Sequence, residues 1–270
     1  MMTSPWIAAL LALFLWWFST GAILLTVRRA DREGAKARLW AVLWNLPFLV
    51  IGGVGFIDTV NNDTVAGVYV AFLSALALWG WIELAFLTGV ITGPVRQPLK
   101  DGVPEWERFI RAWGTIAYHE MLLAFTLIGM VLLSYGAENQ FGTWTFTVLF
   151  LARISAKLNL YLGVRKINVE FIPDHLAHLP SHFRIARMNW LFPISITALS
   201  VASAFWLGHV FASDAPAHAV GYALLGALTA LALLEHWFMV LPLPDERLWR
   251  WMLPERPSPN QAILPSEDAR

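Results

Sequence analysis

The sequence contains no cysteine, which excludes disulfides, thiolate zinc sites and iron–sulfur clusters. Charged residues make up only 14% of its 270 residues, against about 25% in soluble domains. It also lacks the glycine-rich signatures of dinucleotide-binding and P-loop folds. The chain is instead 57% hydrophobic, with 15 Trp and 17 Phe against 5 Tyr. This composition predicts an integral membrane protein.

Seven apolar runs are long enough, at about 20 residues, to cross the hydrocarbon core of a bilayer. The first run has no basic residues before it and is too long for a signal-peptide core, so we interpret it as a retained helix. The sequence therefore predicts an all-α, polytopic bundle of about seven transmembrane helices, forming a single domain over residues 1–253. The predicted spans are residues 5–27, 39–57, 65–93, 114–134, 142–164, 190–212 and 217–241.

The connections between these runs alternate in charge. Seventeen of the 19 Lys and Arg residues lie in residues 28–38, 94–113 and 165–189 or after residue 241. The N-terminus and the connections 58–64, 135–141 and 213–216 contain none. By the positive-inside rule, the N-terminus is predicted outside and the C-terminus in the cytoplasm, which requires an odd number of spans.

Residues 165–189 mix apolar and ionisable side chains around Pro173 and Pro180. This pattern predicts an interfacial, partly helical amphipathic segment on the cytoplasmic side. Residues 254–270 are rich in Pro and Ser and are predicted to be a disordered tail. The basic loops flank the membrane and set its topology, so we expect contact with lipids and no binding of nucleic acid.

Charged side chains inside transmembrane spans are rare and normally face the interior of the bundle. At 1.5 Å per residue, those of this chain lie roughly 8–17 Å from the cytoplasmic ends of their predicted spans, so they form one polar layer. Arg153 and Lys157, four residues apart, share a helix face. The members of the layer are Glu83, His119, Glu120, Arg153, Lys157, Glu235 and His236, with the amides Asn45 and Asn159.

Two interpretations of this polar layer stay open. It is either a cluster of paired charges that fixes how the helices pack, or a site that binds the polar head of a ligand, a metal or a pigment. We expect one of the adjacent residues Glu235 and His236 to pair with Arg153 or Lys157, and the other to be a candidate ligand. Adjacent residues diverge by about 100° on a helix, so the two cannot serve one partner in the same way.

The metal chemistry of the layer is limited by its spacing. The Glu-x-x-His pairs of di-iron carboxylate bundles are absent, because Phe86, Leu123 and Phe238 stand three residues after the three glutamates. A mononuclear Glu/His site remains open. So does axial ligation of a haem or a bacteriochlorophyll by His119 and His236, since neutral imidazole is a common metal ligand.

A second candidate metal site lies in the interfacial segment. His175, His178 and His182 are spaced so that a continuous helix would place them on one face, although Pro180 interrupts the last step. The alternative interpretation is a solvated histidine face at the membrane surface.

Several blocks of sequence, in this order and spacing, resemble one family. They are SPWIAALLALFLWWFSTGAILL (4–25), IELAFLTGVITGP (82–94), YHE (118–120), SAKLNLYLGV (155–164), EFIPDHL (170–176), NWLFPISIT (189–197) and LLEHWFMVLPLPD (233–245). Over roughly residues 4–253 the chain resembles the PuhE-type photosynthetic complex assembly proteins of anoxygenic phototrophic bacteria. That family is known mainly from its location near the gene for the reaction-centre H subunit, and it supplies no catalytic residues to carry over.

The resemblance implies a non-enzymatic assembly factor in the bacterial inner membrane. Such a protein would aid reaction-centre or antenna assembly or modulate bacteriochlorophyll supply, with reaction-centre, antenna or biosynthetic proteins as partners. The implied ligand is bacteriochlorophyll or a precursor. The alternatives are a haem- or iron-dependent oxidoreductase that acts on a tetrapyrrole, or a subunit of one, and a scaffold whose charged layer only locks the fold.

Overall fold

The computed structural model describes residues 2–167, 169 and 172–241. Two short 3₁₀ turns, Asp174–Leu176 and Leu179–His182, follow the sixth helix. These residues contain no named strand and only one isolated bridge, between Val164 and Ile185, so the all-α prediction is confirmed for the described part of the chain. The predicted tail 254–270 lies outside it. The helices are α1 Pro5–Glu33, α2 Ala35–Trp44, α3 Leu46–Thr59, α4 Val65–Leu87, α5 Glu105–Leu133, α6 Phe141–Leu162, α7 Leu191–Ala212 and α8 Pro216–Phe238.

Six helical segments of the described chain are long and apolar enough to cross a membrane. The fifth predicted span, which corresponds to α6, is not among them, and this helix carries Arg153 and Lys157. The chain is therefore a membrane protein with six candidate spans by length and composition. They are α1, α2 and α3 taken together as Ala35–Thr59, α4, α5, α7 and α8.

The second predicted span is broken into two helices that meet at Asn45. Pro47 has no N–H and its ring clashes with the preceding turn, so a regular helix does not continue through it. The Asn45 side-chain amide donates to the Ala41 carbonyl at 2.8 Å. Asn45 therefore hydrogen-bonds within its own helix and is not among the residues that line the cavity described below, while its predicted depth in the polar layer stays a prediction.

The third predicted span also ends early, because α4 stops at Leu87. Gly89 turns the chain with a φ of +73°, and residues 88–95 then pack along α5. A Cβ atom on Gly93 would lie 2.1 Å from the Gly114 carbonyl oxygen, so this close approach requires glycine. The contact brings the segment to the middle of α5, where the backbone N–H of His119 donates to the Thr92 carbonyl at 3.0 Å.

Helices α4 and α8 form the centre of the bundle. Over half of the apolar stretch of each is buried, against 17% for α1 and α7. α8 packs on α1, α4, α6 and α7, while α6 packs on α4, α5, α7 and α8. Helix α6, which carries Arg153 and Lys157, is thus in contact with four other helices.

The segment after α6 packs against this bundle. Leu176 and Leu179 are buried against Phe86 of α4, and the Ala186 N–H donates to the Val164 carbonyl at 3.0 Å. In its described residues, the segment has short 3₁₀ turns where partly helical structure was predicted, since Pro173 and Pro180 interrupt regular hydrogen bonding.

Candidate functional site

Two ion pairs attach α6 to its neighbours. The Arg153 guanidinium donates from Nη2 to Glu83 Oε2 on α4 at 2.8 Å. One turn later, the Lys157 ammonium donates to Glu120 Oε1 on α5. The sequence placed both cations on one face opposite carboxylates, and the structure agrees. The expected pairing with Glu235 or His236 is not found, because both cations pair with other glutamates.

His119 lies fully buried behind Glu83. Its Nε2 is 3.7 Å from Glu83 Oε1, and its ring packs on Phe86 with 4.4 Å between the ring centroids. Neither ring nitrogen of His119 has a hydrogen-bond partner among the described protein groups, and the same holds for Glu83 Oε1. Arg153, Glu83 and His119 therefore form a row that runs from the middle of α6 into α5.

His236 is buried in a separate hydrogen-bond network. Its Nδ1 lies 2.8 Å from the Ala232 carbonyl oxygen, and its Nε2 lies 2.9 Å from the Ser155 hydroxyl. Both ring nitrogens therefore have partners in the protein. Since His119 sits behind Glu83 on another helix, the structure does not bring these two histidines together as a pair of axial ligands.

The network continues from α6 to α7. The Asn159 amide donates to the Ser195 hydroxyl at 3.0 Å, and Ser155 and Ser195 are 2.9 Å apart. Asn189 donates to Asn159 Oδ1 at 3.0 Å and accepts the Leu191 N–H at 2.9 Å. The sequence singled out Asn159 but missed Ser155, Ser195 and Asn189. The available signal was the four-residue spacing of Ser155 and Asn159, which puts them on one face of α6.

A cavity of about 840 Å³ lies among α1, α4, α5, α6, α8 and the segment after α6. Most of its wall is apolar. Both ion pairs and Glu235 also line it, so most of the predicted polar layer meets at one cavity. The apolar lining includes Trp16, Leu24, Trp79, Phe86, Trp113, Ile116, Phe150 and Leu228.

Glu235 differs from the other two glutamates of the wall. Its side chain is exposed on the cavity and hydrogen-bonds to the side chain of Trp16. Glu83 and Glu120 form the ion pairs with Arg153 and Lys157, and Glu235 interacts with Arg153 only at longer range, through the attraction of their charges. Of the adjacent residues 235 and 236, the acid therefore faces the cavity and the base faces the network.

Pro173, Leu176, Leu179 and Phe183 line part of the cavity, and polar contacts hold their segment on two sides. At one side, His175 Nδ1 lies 2.8 Å from Asp31 Oδ1. On the other side, the Arg108 guanidinium donates to the Tyr161 carbonyl at 2.8 Å and to the His182 carbonyl at 3.2 Å. The backbone N–H of Leu99 donates to the Ser181 hydroxyl at 2.9 Å. The segment is thus tied to α1, to α5 and to the residues before α5.

The three histidines of this segment have separate environments. His175 pairs with Asp31, while His182 Nε2 is 3.4 Å from the Gln97 carbonyl oxygen. Burial lowers the pKa of His178 and the pKa of His182 below their ordinary value. Within the described residues, no group of three His, Asp or Glu side chains is arranged to hold a metal ion, so the structure does not assemble His175, His178 and His182 into a metal site.

Comparison with known proteins adds the family. A protein of Rhodobacter capsulatus, named as an uncharacterized 30.4 kDa protein in the puhA 5′ region, is 50% identical over 262 residues, which cover 97% of this chain and 96% of that protein. No solved structure matches the chain. The family described as protein of unknown function (DUF3623) matches residues 2–260. With nearly the whole sequence matched, the chain belongs to the DUF3623 family.

Proposed function

We propose that this protein is a membrane assembly factor for the bacterial photosynthetic apparatus, and that it holds a bacteriochlorophyll or a precursor in the cavity described above. It would aid reaction-centre or antenna assembly, or modulate the supply of bacteriochlorophyll to it. The observation that carries the proposal is a cavity of about 840 Å³, whose wall is largely apolar but includes charged side chains.

The chemistry of the cavity suits such a ligand. Its volume is within the roughly 300–1,000 Å³ of small-molecule and cofactor sites, whose walls are mostly apolar with a few placed polar groups. A bacteriochlorin has a large apolar ring and a magnesium centre that accepts one further ligand. Apolar and aromatic side chains would hold the ring, while Glu235 is a carboxylate of the kind that magnesium prefers.

The relative supports the biological context. Its name locates it in the puhA 5′ region, in agreement with the resemblance to proteins encoded near the gene for the reaction-centre H subunit. Reaction-centre, antenna or bacteriochlorophyll-biosynthesis proteins would receive or deliver the pigment at the inner face of the bacterial cytoplasmic membrane.

Pigment binding is tested on protein purified in mild detergent from a phototrophic host. We expect near-stoichiometric bacteriochlorin absorbance and matching magnesium. Ala152→Phe, which places a ring in the cavity wall, should reduce the pigment, whereas Ala198→Phe on the exposed surface of α7 should not. Bound haem or iron would favour an oxidoreductase instead, and a colourless preparation would rule out pigment storage.

The assembly role is tested separately in cells. Deleting the gene should lower the near-infrared absorbance of reaction centres or antenna complexes, and the wild-type gene should restore it while the Ala152→Phe variant restores less. Unchanged complex levels after deletion would contradict the role in assembly, whatever the purified protein binds.

We further propose that α6 is a seventh span and that the N-terminus is periplasmic. Four helices surround α6, and its two charges have carboxylate partners, which offsets the cost of charge inside a membrane. Because the chain has no cysteine, single cysteines report topology cleanly. In spheroplasts, an impermeant maleimide should label Asn62→Cys and leave Lys36→Cys unlabelled until lysis; the reverse pattern would invert the topology.

A further inference from the structure

We infer that Glu235 is the ligand-contacting residue of the cavity, and that it makes the cavity selective for amphipathic molecules with an electropositive polar group over equally apolar anions. This inference rests on the cavity that carries the proposed function and specifies what that cavity recognises. A ring-bound magnesium, an ammonium or a phosphonium ion are all members of this ligand class.

The charges of the wall favour this selectivity. Glu83 and Glu120 are each engaged by a cation, at 2.8 Å from Arg153 in the first case and through the Lys157 ammonium in the second. Glu235 is the third carboxylate among the described residues of the wall; its side chain hydrogen-bonds to Trp16, and Arg153, which Glu83 already holds at 2.8 Å, attracts it only at longer range. Lys166 also lines the cavity and has an interaction of its own. A ligand therefore meets negative potential at Glu235.

The neighbour of Glu235 explains why this side chain points inward. His236 follows it by about 100° around the helix and is 1% exposed, with both ring nitrogens hydrogen-bonded. The network with Ser155 thus fixes the rotation of α8. With α8 held in that rotation, the Glu235 side chain is directed at the cavity.

The aromatic lining acts in the same direction as the carboxylate. Trp16, Trp79, Phe86 and Trp113 all contribute to the wall. Aromatic faces carry negative charge density and attract cations, most strongly where water is excluded. The wall thus combines the Glu235 carboxylate, which is outside the two ion pairs, with several aromatic rings, and both favour an electropositive ligand.

Two ions of matched size and opposite charge test this selectivity: tetraphenylphosphonium and tetraphenylborate. Binding to the purified protein is measured by titration calorimetry in a neutral detergent, with empty micelles subtracted. We expect the wild type to bind the cation on the order of tenfold more tightly than the anion, as one charge contact in a poorly hydrated site allows. Glu235→Gln should bring the ratio close to one.

Three further variants keep the test decisive. Glu235→Asp retains the charge and should retain most of the preference. Glu235→Ala, which also removes the charge, replaces Glu235→Gln in the comparison if that variant does not fold. Glu138→Gln removes an exposed carboxylate from the loop before α6 and should change nothing. Equal binding of both ions by the wild type, binding of neither, or a preference unchanged in Glu235→Gln would overturn the inference.

This outcome is independent of the pigment experiment. A colourless preparation that still discriminates between the two ions would contradict pigment storage but keep the role of Glu235. A pigmented preparation that binds both ions equally would support pigment storage but contradict the role of Glu235.

Discussion

Glu83 shows how the bundle tolerates an acidic side chain within its core. The side chain is only 8% exposed, and Arg153 donates to it from the cavity wall. A buried ion pair contributes little over an apolar packing of equal size, but removing one member leaves an uncompensated charge. The two members therefore act as a unit, and this unit connects α4 to α6.

Removing Arg153 alone should therefore destabilise the protein more than removing both charges. We expect Arg153→Ala to lower the free energy of unfolding by about 3 kcal/mol, because Glu83 stays buried without its partner. The double variant Arg153→Ala/Glu83→Gln should recover part of the loss. Unfolding in detergent, followed by circular dichroism, measures both.

The matched control is Arg111→Ala. Arg111 pairs with Glu107 one turn away on α5, and both side chains are about a third exposed, so its loss should cost less than about 1 kcal/mol. A similar loss for Arg111→Ala and Arg153→Ala would show that burial of the pair is not what matters.

The link between α4 and α5 depends on Gly93 for its close packing on α5. Residues 88–95 leave α4 at Gly89 and lie so close to α5 that Gly93 nearly touches the Gly114 carbonyl. This segment packs on the part of α5 that carries His119, behind Glu83, and Glu120, at the cavity. Its packing therefore positions Glu120, which pairs with Lys157, and His119, which lies beside the Glu83 of the other ion pair.

Gly93→Ala should separate this segment from α5. The added methyl group would meet backbone, which cannot rotate away as a side chain can, and overpacking of this kind costs about 1–3 kcal/mol. Gly129→Ala is the control, because nothing lies within 4 Å of its added Cβ atom and alanine favours a helix. We expect a lower melting temperature for Gly93→Ala and an unchanged or higher one for Gly129→Ala.

For the whole molecule, the segment 172–183 couples the cavity to the aqueous pH. The pKa values of His178 and His182 are both lowered, first by burial. The unfolded segment therefore binds protons more readily than the folded one. Its stability is complete above the unfolded pKa of about 6.5 and decreases as the pH falls towards the lower pKa values of the folded state.

Hydrogen exchange should report this loss directly. After correction for intrinsic exchange rates, residues 172–186 should lose protection between pH 7.5 and pH 5.5, whereas α8 should not. In a His178→Gln/His182→Gln variant the same segment should exchange independently of pH. Equal pH dependence in the variant and the wild type would exclude the two histidines as the cause.

The apolar runs were sufficient to predict most helices, and the charged residues within them were sufficient to predict the polar layer. Pairing was not predictable, because sequence gives the depth of Glu83, Glu120 and Glu235 but not which helices are neighbours. The early end of α4 was hidden because residues 88–93 carry no charge and include Val90 and Ile91. The roles of Glu235 and His236 also depended on Ser155, a residue that no charge pattern marks.

The contact between Asp31 and His175 has a consequence for kinetics. The segment that this contact holds lines part of the cavity, so opening of the contact would change the access of a ligand to that part of the wall. On the proposed function, Glu235 would contribute to how tightly a ligand is held, while Asp31 and His175 would contribute to how long it stays. Residence time and affinity would then be set by different residues, and release to a partner could be accelerated without weakening capture.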